Sequence, residues 1–209
     1  MEIVYKNFRD IYKKICLLKS ESLVEQTDFN KVFDYPPEEK IDGFLVYGFI
    51  NGESKFVFEI LAGAKVSEGR IKIFPASYKN RVNVFRGDID ESYIQKVSDD
   101  YSEAFKDKLQ MINDDTDGEK ERLRRVEMID AQRHPFFPDD VLVYFFAEGF
   151  QLERAWVRCV SAEGKIICGV LLNELEQKNF GYKIGDIVNF GVTEFDKEMI
   201  CVLIRDEKF

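Results

Sequence analysis

The stretch that decides the fold lies between residues 141 and 204 and consists of five short apolar runs: VLVYFFA (141–147), RAWVRCV (154–160), IICGVLL (166–172), DIVNFGV (186–192) and MICVLI (199–204). Glycine, asparagine and acidic residues separate the runs. Each run has the length of a strand rather than of a helix. Several short strands at such spacing are typical of a small barrel or a strongly bent sheet. The sequence therefore predicts a five-stranded, barrel-like β domain over residues 139–209.

The turn at Glu163-Gly164 leaves two strand registers open. A two-residue loop made of these two residues pairs Cys159 with Cys168 and places the apolar side chains on one face, as a half-buried strand requires. A three-residue loop over 162–164, with Gly164 left-handed, pairs Cys159 with Ile167 instead. Turn chemistry favours the longer loop, because a two-residue type I′ turn needs positive φ at Glu163. We expect the three-residue loop.

The N-terminal half, residues 1–115, is predicted to hold an antiparallel sheet with packed helices. Two aromatic-rich runs at 44–50 and 55–61 flank Asn51-Gly52-Glu53-Ser54, and Asn-Gly tolerates the positive φ of tight hairpin turns. Shorter alternating runs at 70–74 and 81–85 are expected to add two strands. The whole chain is therefore assigned to the α+β class, with sheet and helices in its first half and the barrel in its second.

Three segments have the apolar spacing of amphipathic helices. They cover residues 8–18, residues 94–112, which make roughly five to six turns, and the charged residues 119–133. We interpret the last as the helical part of a linker over residues 116–138. Residues 20–42 are polar, carry Pro36-Pro37 and are expected to form a loop.

Composition limits the classes of partner. The chain has 209 residues, of which 45% are hydrophobic and 33% charged, and its net charge is −9. Phosphate repels such a chain, so neither nucleic acid nor a membrane is expected as a partner. A protein partner is expected, and a basic one is favoured because complementary charge speeds association. No secretory signal or spanning apolar run is visible and the four cysteines are scattered, so a cytoplasmic location is expected.

Part of the barrel region resembles a known family. The segment ERAWV (153–157) is followed by CGVLLNE (168–174) and GDIVNF (185–190). This order is similar to the uncharacterised bacterial family catalogued as domain of unknown function 2314, over residues 120–195. Members often have proline after the Asn-Glu pair, where this chain has Leu175. The resemblance implies a compact β domain and a bacterial source, and it implies no activity.

His134 is the only histidine and the candidate general base, with Asp139 or Asp140 as its partner. A structural role beside two prolines and two phenylalanines is the alternative. Asp139 and Asp140 with Glu148 and Glu153 are a second candidate set, for hydrolysis by paired carboxylates. Its alternative is a group of solvated side chains at strand ends. The sequence contains no G-x-S-x-G motif, P-loop or G-x-G-x-x-G motif.

Neither a metal nor a cofactor is expected. One histidine and isolated cysteines lack the paired spacing of zinc ligands. The acidic segment NDDTDG (113–118) does not match an EF-hand loop, because the twelfth position, where the loop needs glutamate, is Arg125 or Val126. We interpret this segment as a solvated turn.

Trp156 with Arg154 and Arg158 is the candidate binding set, since tryptophan and arginine are frequent anchors in protein interfaces. The same set on a small barrel is the alternative site for RNA. Trp156 itself is expected in the core, because Ala155 and Val157 leave its strand apolar on both faces.

Three functions follow as hypotheses. The first is a non-enzymatic protein-binding module, with a bacterial immunity-type protein that neutralises a basic toxin as its specific form. The second is a hydrolase that uses His134 with a nearby carboxylate. The third is an RNA-binding small barrel.

Overall fold

The computed structural model describes residues 8–68, 70–90, 93–97, 100–114, 117–146, 149, 151–177 and 180–204. The chain divides into two compact units, Met1–Asp115 and Thr116–Phe209. The first is a sheet with packed helices and the second is a closed β-barrel, so the α+β class is confirmed. No helix in these described ranges is long and apolar enough to cross a membrane.

Six antiparallel strands form the sheet of the first unit: β1 Ile15–Leu18, β2 Gly43–Ile50, β3 Phe56–Ser67, β4 Arg70–Pro75, β5 Asn83–Phe85 and β6 Ile94–Lys96. The order is β4-β3-β2-β1-β6, and β5 also pairs with β3. The predicted hairpin is confirmed, because Ile50 pairs with Phe56 across the 51–55 turn. The Asn51 side chain accepts the N–H groups of Glu53 and Lys55, which fixes that turn.

Strand β2, inside this sheet, is buried on both of its faces. Along β2, Phe44 and Val46 belong to one apolar cluster, and Leu45 and Tyr47 belong to another on the opposite face. Every residue of β2 is buried, which explains why the strand is a continuous apolar run and not an alternating one.

The helix predicted over residues 8–18 is wrong. A 3-10 turn covers Phe8–Asp10, and β1 follows it. Strand β1 lies inside the sheet between β2 and β6, and three of its four residues are buried. Burial on two faces removes the alternation by which a strand is recognised, and the remaining apolar spacing matched a helix by coincidence.

The long helix predicted over residues 94–112 is also wrong. Its first residues form β6, which pairs with β1, a 3-10 turn covers Glu103–Phe105, and only α3 spans Lys106–Asp114. This helix is numbered third because two short helices precede it.

The loop expected at residues 20–42 contains these two helices. They are α1, Glu21–Gln26, and α2, Phe29–Val32, which are capped by the side chains of Ser20 and Asp28 respectively.

The second unit contains the five-stranded barrel that the sequence predicts. Its strands are β7 Asp140–Phe145, β8 Glu153–Glu163, β9 Ile166–Leu171, β10 Ile187–Phe195 and β11 Glu198–Leu203. Neighbouring strands pair antiparallel, and a parallel pairing of β11 with β7 closes the barrel. Side chains that point inward form one apolar core, which includes Val143, Phe145 and Cys201.

The segment before the barrel is not the single helix expected over 119–133. Helix α4 spans Gly118–Arg124, and a separate 3-10 turn spans Glu127–Gln132. Leu123 of α4 and Ile129 of the 3-10 turn are both buried in the barrel core. This segment therefore belongs to the compact second unit.

The β8–β9 turn has neither predicted register. Glu163 pairs with Ile166, so the loop is Gly164-Lys165, and Gly164 has the positive φ (+59°) that the first loop position of a type II′ turn needs. An irregularity in the ladder between Cys159 and Ser161 then pairs Cys159 with Gly169. The bulge lets the favourable turn coexist with an inward Cys159, a combination that neither predicted register contained. Cys159 and Cys168 are therefore not a cross-strand pair, and both are free thiols.

Candidate functional site

Strands β7 and β8 bring the predicted binding residues onto one face. Side chains at 141, 143 and 145 are buried in the barrel, so those between them point outward. On this outer face, Leu142 pairs with Trp156, Tyr144 with Arg154, and Asp140 with Arg158. The three residues of the candidate binding set thus share the outer face of β8.

Trp156 does not lie in the core, contrary to expectation. It is only half-buried, because Ala155 and Val157 on either side take the inward positions. Its indole packs on the imidazole of His134, with the ring centroids 4.9 Å apart and the planes at 68°. An apolar neighbour on each side of a residue does not show which of the two faces of a strand is buried.

His134 acts as an acceptor within its own turn. Its Nδ1 accepts the backbone N–H of Phe136 at 3.1 Å and of Phe137 at 3.3 Å. Burial lowers the pKa of His134, and the charge of Asp140 opposes that shift. Since Nδ1 is an acceptor, the hydrogen-bond pattern assigns the proton of the neutral ring to Nε2. In this geometry neither nitrogen offers a lone pair for removing a proton from a substrate.

Asp139 and Asp140 both accept from arginines through two oxygens. Asp139 binds Nε and Nη2 of Arg124 at 2.8 and 2.7 Å, and Asp140 binds Nε and Nη2 of Arg158 at 2.7 and 3.0 Å. Such paired, charge-assisted bonds are strong and directional. Glu153 accepts the backbone N–H groups of residues 176 and 177. Glu148 lies outside the described residues.

A buried arginine that the sequence analysis missed completes this structure. Arg133 donates from Nη1 to the carbonyl of Pro138 and from Nη2 to the carbonyl of Leu123, and its Nε binds Asp130. These bonds tie the parts of the 118–138 segment to one another, and Arg124 joins the segment to Asp139 beside β7. Of the residues proposed for catalysis, Asp139 and Asp140 are thus buried and bound to arginines.

Stability should fall in mild acid because of His134. Its pKa is lowered in the folded protein, so the unfolded chain binds more protons once the pH falls below the ordinary value of 6.5, and stability decreases as the pH falls further. The loss levels off below the folded pKa. We expect His134→Asn to flatten this dependence, because an Asn side chain accepts the same local N–H groups but does not titrate. Urea unfolding of both proteins between pH 5 and pH 8 measures it, and parallel curves would contradict it.

An apolar groove lies on the outer surface of the barrel, and we call it the barrel groove. Its volume is about 670 Å³, within the range of ligand sites. Six apolar side chains line it: Tyr144, Phe146, Leu152, Phe195, Ile200 and Val202. Three of them are largely exposed, namely Phe146 (64%), Leu152 (57%) and Phe195 (69%). Contiguous exposed apolar surface of this kind marks interaction sites.

The barrel topology assembles this groove from distant parts of the chain. The parallel β11–β7 pairing sets Val202 beside Tyr144. The β10–β11 turn, with Asp196 and Lys197 both at positive φ, is of the tight type I′ kind and pairs Phe195 with Glu198. No sequence motif links these segments. The only sequence feature that pointed to the groove was a phenylalanine at or beside the end of each of two strands, Phe146 and Phe195.

The edge of the barrel groove is acidic. Glu194, Asp196 and Glu198 line it, and none of the lining residues that the structure describes is basic. An apolar floor beside three carboxylates is complementary to a group that has both apolar and positively charged parts.

The described residues contain no group of three or more His, Cys, Asp or Glu side chains arranged to hold a metal ion. Two thiols in the barrel interior are protected: burial raises the pKa of Cys159 and of Cys201 to about 12. Such thiols are poor nucleophiles at neutral pH.

No family model, no curated protein and no solved structure matches this chain. The similarity of residues 120–195 to domain of unknown function 2314 therefore stays a prediction.

Proposed function

We propose that this protein is a non-enzymatic protein-binding module, and that the barrel groove docks a basic segment of another protein that carries an apolar anchor side chain. The observation that carries the proposal is the combination of exposed Phe146 and Phe195 with three carboxylates at one groove. A basic toxin held by an immunity-type protein is a partner of this chemistry.

The apolar part of the groove supplies the affinity in this proposal. Full burial of one phenylalanine side chain contributes about 1.5–3 kcal/mol. Phe146, Leu152 and Phe195 are all more than half exposed, so most of that contribution is available to a partner. Aromatic anchors in a pocket, surrounded by a rim that excludes water, are the usual arrangement of binding hot spots.

The charged part of the groove supplies selectivity and speed. The carboxylates of residues 194, 196 and 198 lie at its edge, and the whole chain carries a net charge of −9. Complementary charge accelerates encounter and rejects acidic competitors, and both effects weaken as salt rises.

Peptide display tests the chemistry of the groove directly. We expect peptides selected on the wild-type protein, and counter-selected on a Phe146→Ser/Phe195→Ser variant, to combine Lys or Arg with an aromatic or aliphatic residue. Enrichment of acidic peptides would overturn the proposal. So would a selection in which no peptide binds the wild-type protein better than the variant.

The selected peptides then measure the contribution of the anchors. The Phe146→Ser/Phe195→Ser variant is expected to bind them at least about tenfold more weakly, because truncating a hot-spot side chain costs on the order of 2 kcal/mol. The matched control is Ile184→Ser/Ile187→Ser, since these two side chains are similarly exposed (54% and 56%) on the same unit but do not line the groove. Equal weakening by the control would contradict a specific site.

A charge variant separates the two contributions. Glu194→Gln/Asp196→Asn/Glu198→Gln should slow association and reduce its salt dependence, with a smaller effect on dissociation. Asparagine is suited to position 196, because it tolerates the positive φ found there. Unchanged salt dependence in the variant would refute the electrostatic part of the proposal.

A further inference from the structure

The candidate binding set holds two arginines on the outer face of β8, and the structure gives them different surroundings. Arg158 binds Asp140 through Nε and Nη2 at 2.7 and 3.0 Å. The side chain of Arg154 is exposed and, among the residues that the structure describes, its guanidinium group forms no hydrogen bond or ion pair. Of the two guanidinium groups, that of Arg154 is therefore the one that a partner can bind.

Arg154 lies at the border of the barrel groove. It pairs with Tyr144 across the β7–β8 ladder, and Leu152 lies two positions before it in the chain. Tyr144 and Leu152 both line the groove. Ala155 and Val157 take the inward positions of β8, so Arg154 projects from the same outer surface of the barrel as the groove residues. A positive charge therefore borders the groove.

This positive charge is separated from the carboxylates of the groove. Val202 lies beside Tyr144 in the parallel β11–β7 pairing, and Tyr144 pairs with Arg154, so the three residues form one row across neighbouring strands. Glu198 precedes Val202 by four residues on β11, which is about 13 Å at the rise of a strand. The other two carboxylates lie at the same β10–β11 turn as Glu198. The groove therefore has an acidic end at this turn and a basic border at Arg154.

We propose that Arg154 selects the partner segment by binding an acidic side chain, Asp or Glu, which the segment carries in addition to its basic residue and its apolar anchor. This inference rests on the function proposed for the barrel groove and adds a requirement to it. A guanidinium group donates two parallel hydrogen bonds to a carboxylate. With its basic residue at the turn and its acidic residue at Arg154, the segment binds in one direction only.

The distance between the two ends of the groove sets the spacing of the two charges on the partner. An extended chain advances about 3.3 Å per residue, so a separation of about 13 Å corresponds to about four residues. We expect groove-dependent peptides, those that bind the wild-type protein but not Phe146→Ser/Phe195→Ser, to carry an acidic residue about four or more positions from the basic one.

One groove-dependent peptide and a copy in which an amide residue replaces its acidic residue measure the contact with Arg154. Arg154→Gln should weaken binding of the acidic peptide about threefold or more, and binding of the amide copy less than about 1.5-fold, as loss of one partly screened ion pair predicts. Arg125→Gln is the matched control and should affect the two peptides equally. Arg125 is exposed on the same unit, forms no ion pair in the described part of the chain, and does not line the groove.

Charge reversal completes the test. The wild-type protein should bind the acidic peptide better than a copy with lysine at that position, and Arg154→Glu should show the opposite order. The inference would be overturned by groove-dependent peptides without an acidic residue, by equal effects of Arg154→Gln on both peptides, or by an unchanged order in Arg154→Glu. These results would leave the proposed function standing, because the peptides still require Phe146 and Phe195. Failure to select any groove-dependent peptide would refute the proposed function, and this inference with it.

Discussion

Replacing Arg124 with methionine is expected to lower the free energy of unfolding by about 3–5 kcal/mol, because it leaves a buried carboxylate without its partner. The side chains of Arg124 and Asp139 are 2% and 4% exposed, and two hydrogen bonds of 2.8 and 2.7 Å join them. A third bond joins Arg124 to Glu121. Since the free energy of unfolding of a typical domain is only about 5–15 kcal/mol, this one change removes a large part of it.

The fluorescence of Trp156 reports this loss, because it is the only tryptophan of the chain and lies in the same unit. Two variants make the result specific. Arg124→Lys keeps the charge but not the two-pronged geometry, so we expect an intermediate loss. Arg124→Met/Asp139→Leu replaces both charges with apolar groups and should recover most of the stability, since an apolar pair avoids the cost of desolvation. A loss below about 1 kcal/mol for Arg124→Met would show that the pair behaves as an exposed one.

Replacing Glu59 with glutamine is expected to cost about 3 kcal/mol in the first unit, by the same physics. Glu59 lies on β3 and is fully buried, with Arg81 Nε 2.8 Å from Oε2 and Lys108 Nζ 3.4 Å from Oε1. The Lys108 side chain is only 5% exposed and also donates to the carbonyl of Ile60. Glutamine keeps the shape of the side chain, so the loss measures charge and not volume.

The pH dependence of this variant identifies the cause. Burial lowers the pKa of Lys108, and the charge of Glu59 opposes that shift. Without Glu59 the pKa of Lys108 falls further, so the unfolded chain binds more protons in alkaline solution and stability rises with pH up to about 10.5. We expect this rise in Glu59→Gln and not in Glu59→Gln/Lys108→Met. Hydrogen exchange of β3 amides such as Ile60 measures it, and identical profiles would refute the assignment to Lys108.

Local sequence signals predicted the elements whose pairing partners are adjacent in the chain. The β2–β3 hairpin follows from two apolar runs around Asn51-Gly52, and the five barrel strands follow from five runs of strand length. Here hydrophobic pattern and turn chemistry agree, and such agreement is what makes a segment predictable. The β8–β9 register was missed for two reasons: the loop is Gly164-Lys165, and a bulge near Val160 then shifts the ladder. A pattern of fixed period two cannot contain a bulge.

The same reasoning identified some residues of interest but not their roles. His134, Asp139, Asp140 and Trp156 do lie close together, yet the arginines that bind the two carboxylates come from different elements. An arginine in a charged helical pattern is usually solvated, and nothing in the sequence around Arg124 shows that it is 2% exposed. Burial of such a side chain is a property of packing between elements.

The sequence by itself determined the α+β class, the antiparallel sheet of the first half and the five strands of the second, since period and turn residues act over a few positions. Only the tertiary structure decided that residues 15–18 and 94–96 form strands, because β1 and β6 exist through pairing with each other and with β2. It also decided the candidate binding site, because the barrel groove depends on the parallel contact of β11 with β7. Whether such distant segments pair depends on the entropy cost of closing the loops between them and on the apolar surface that the whole unit buries. A local sequence pattern carries no information about either quantity.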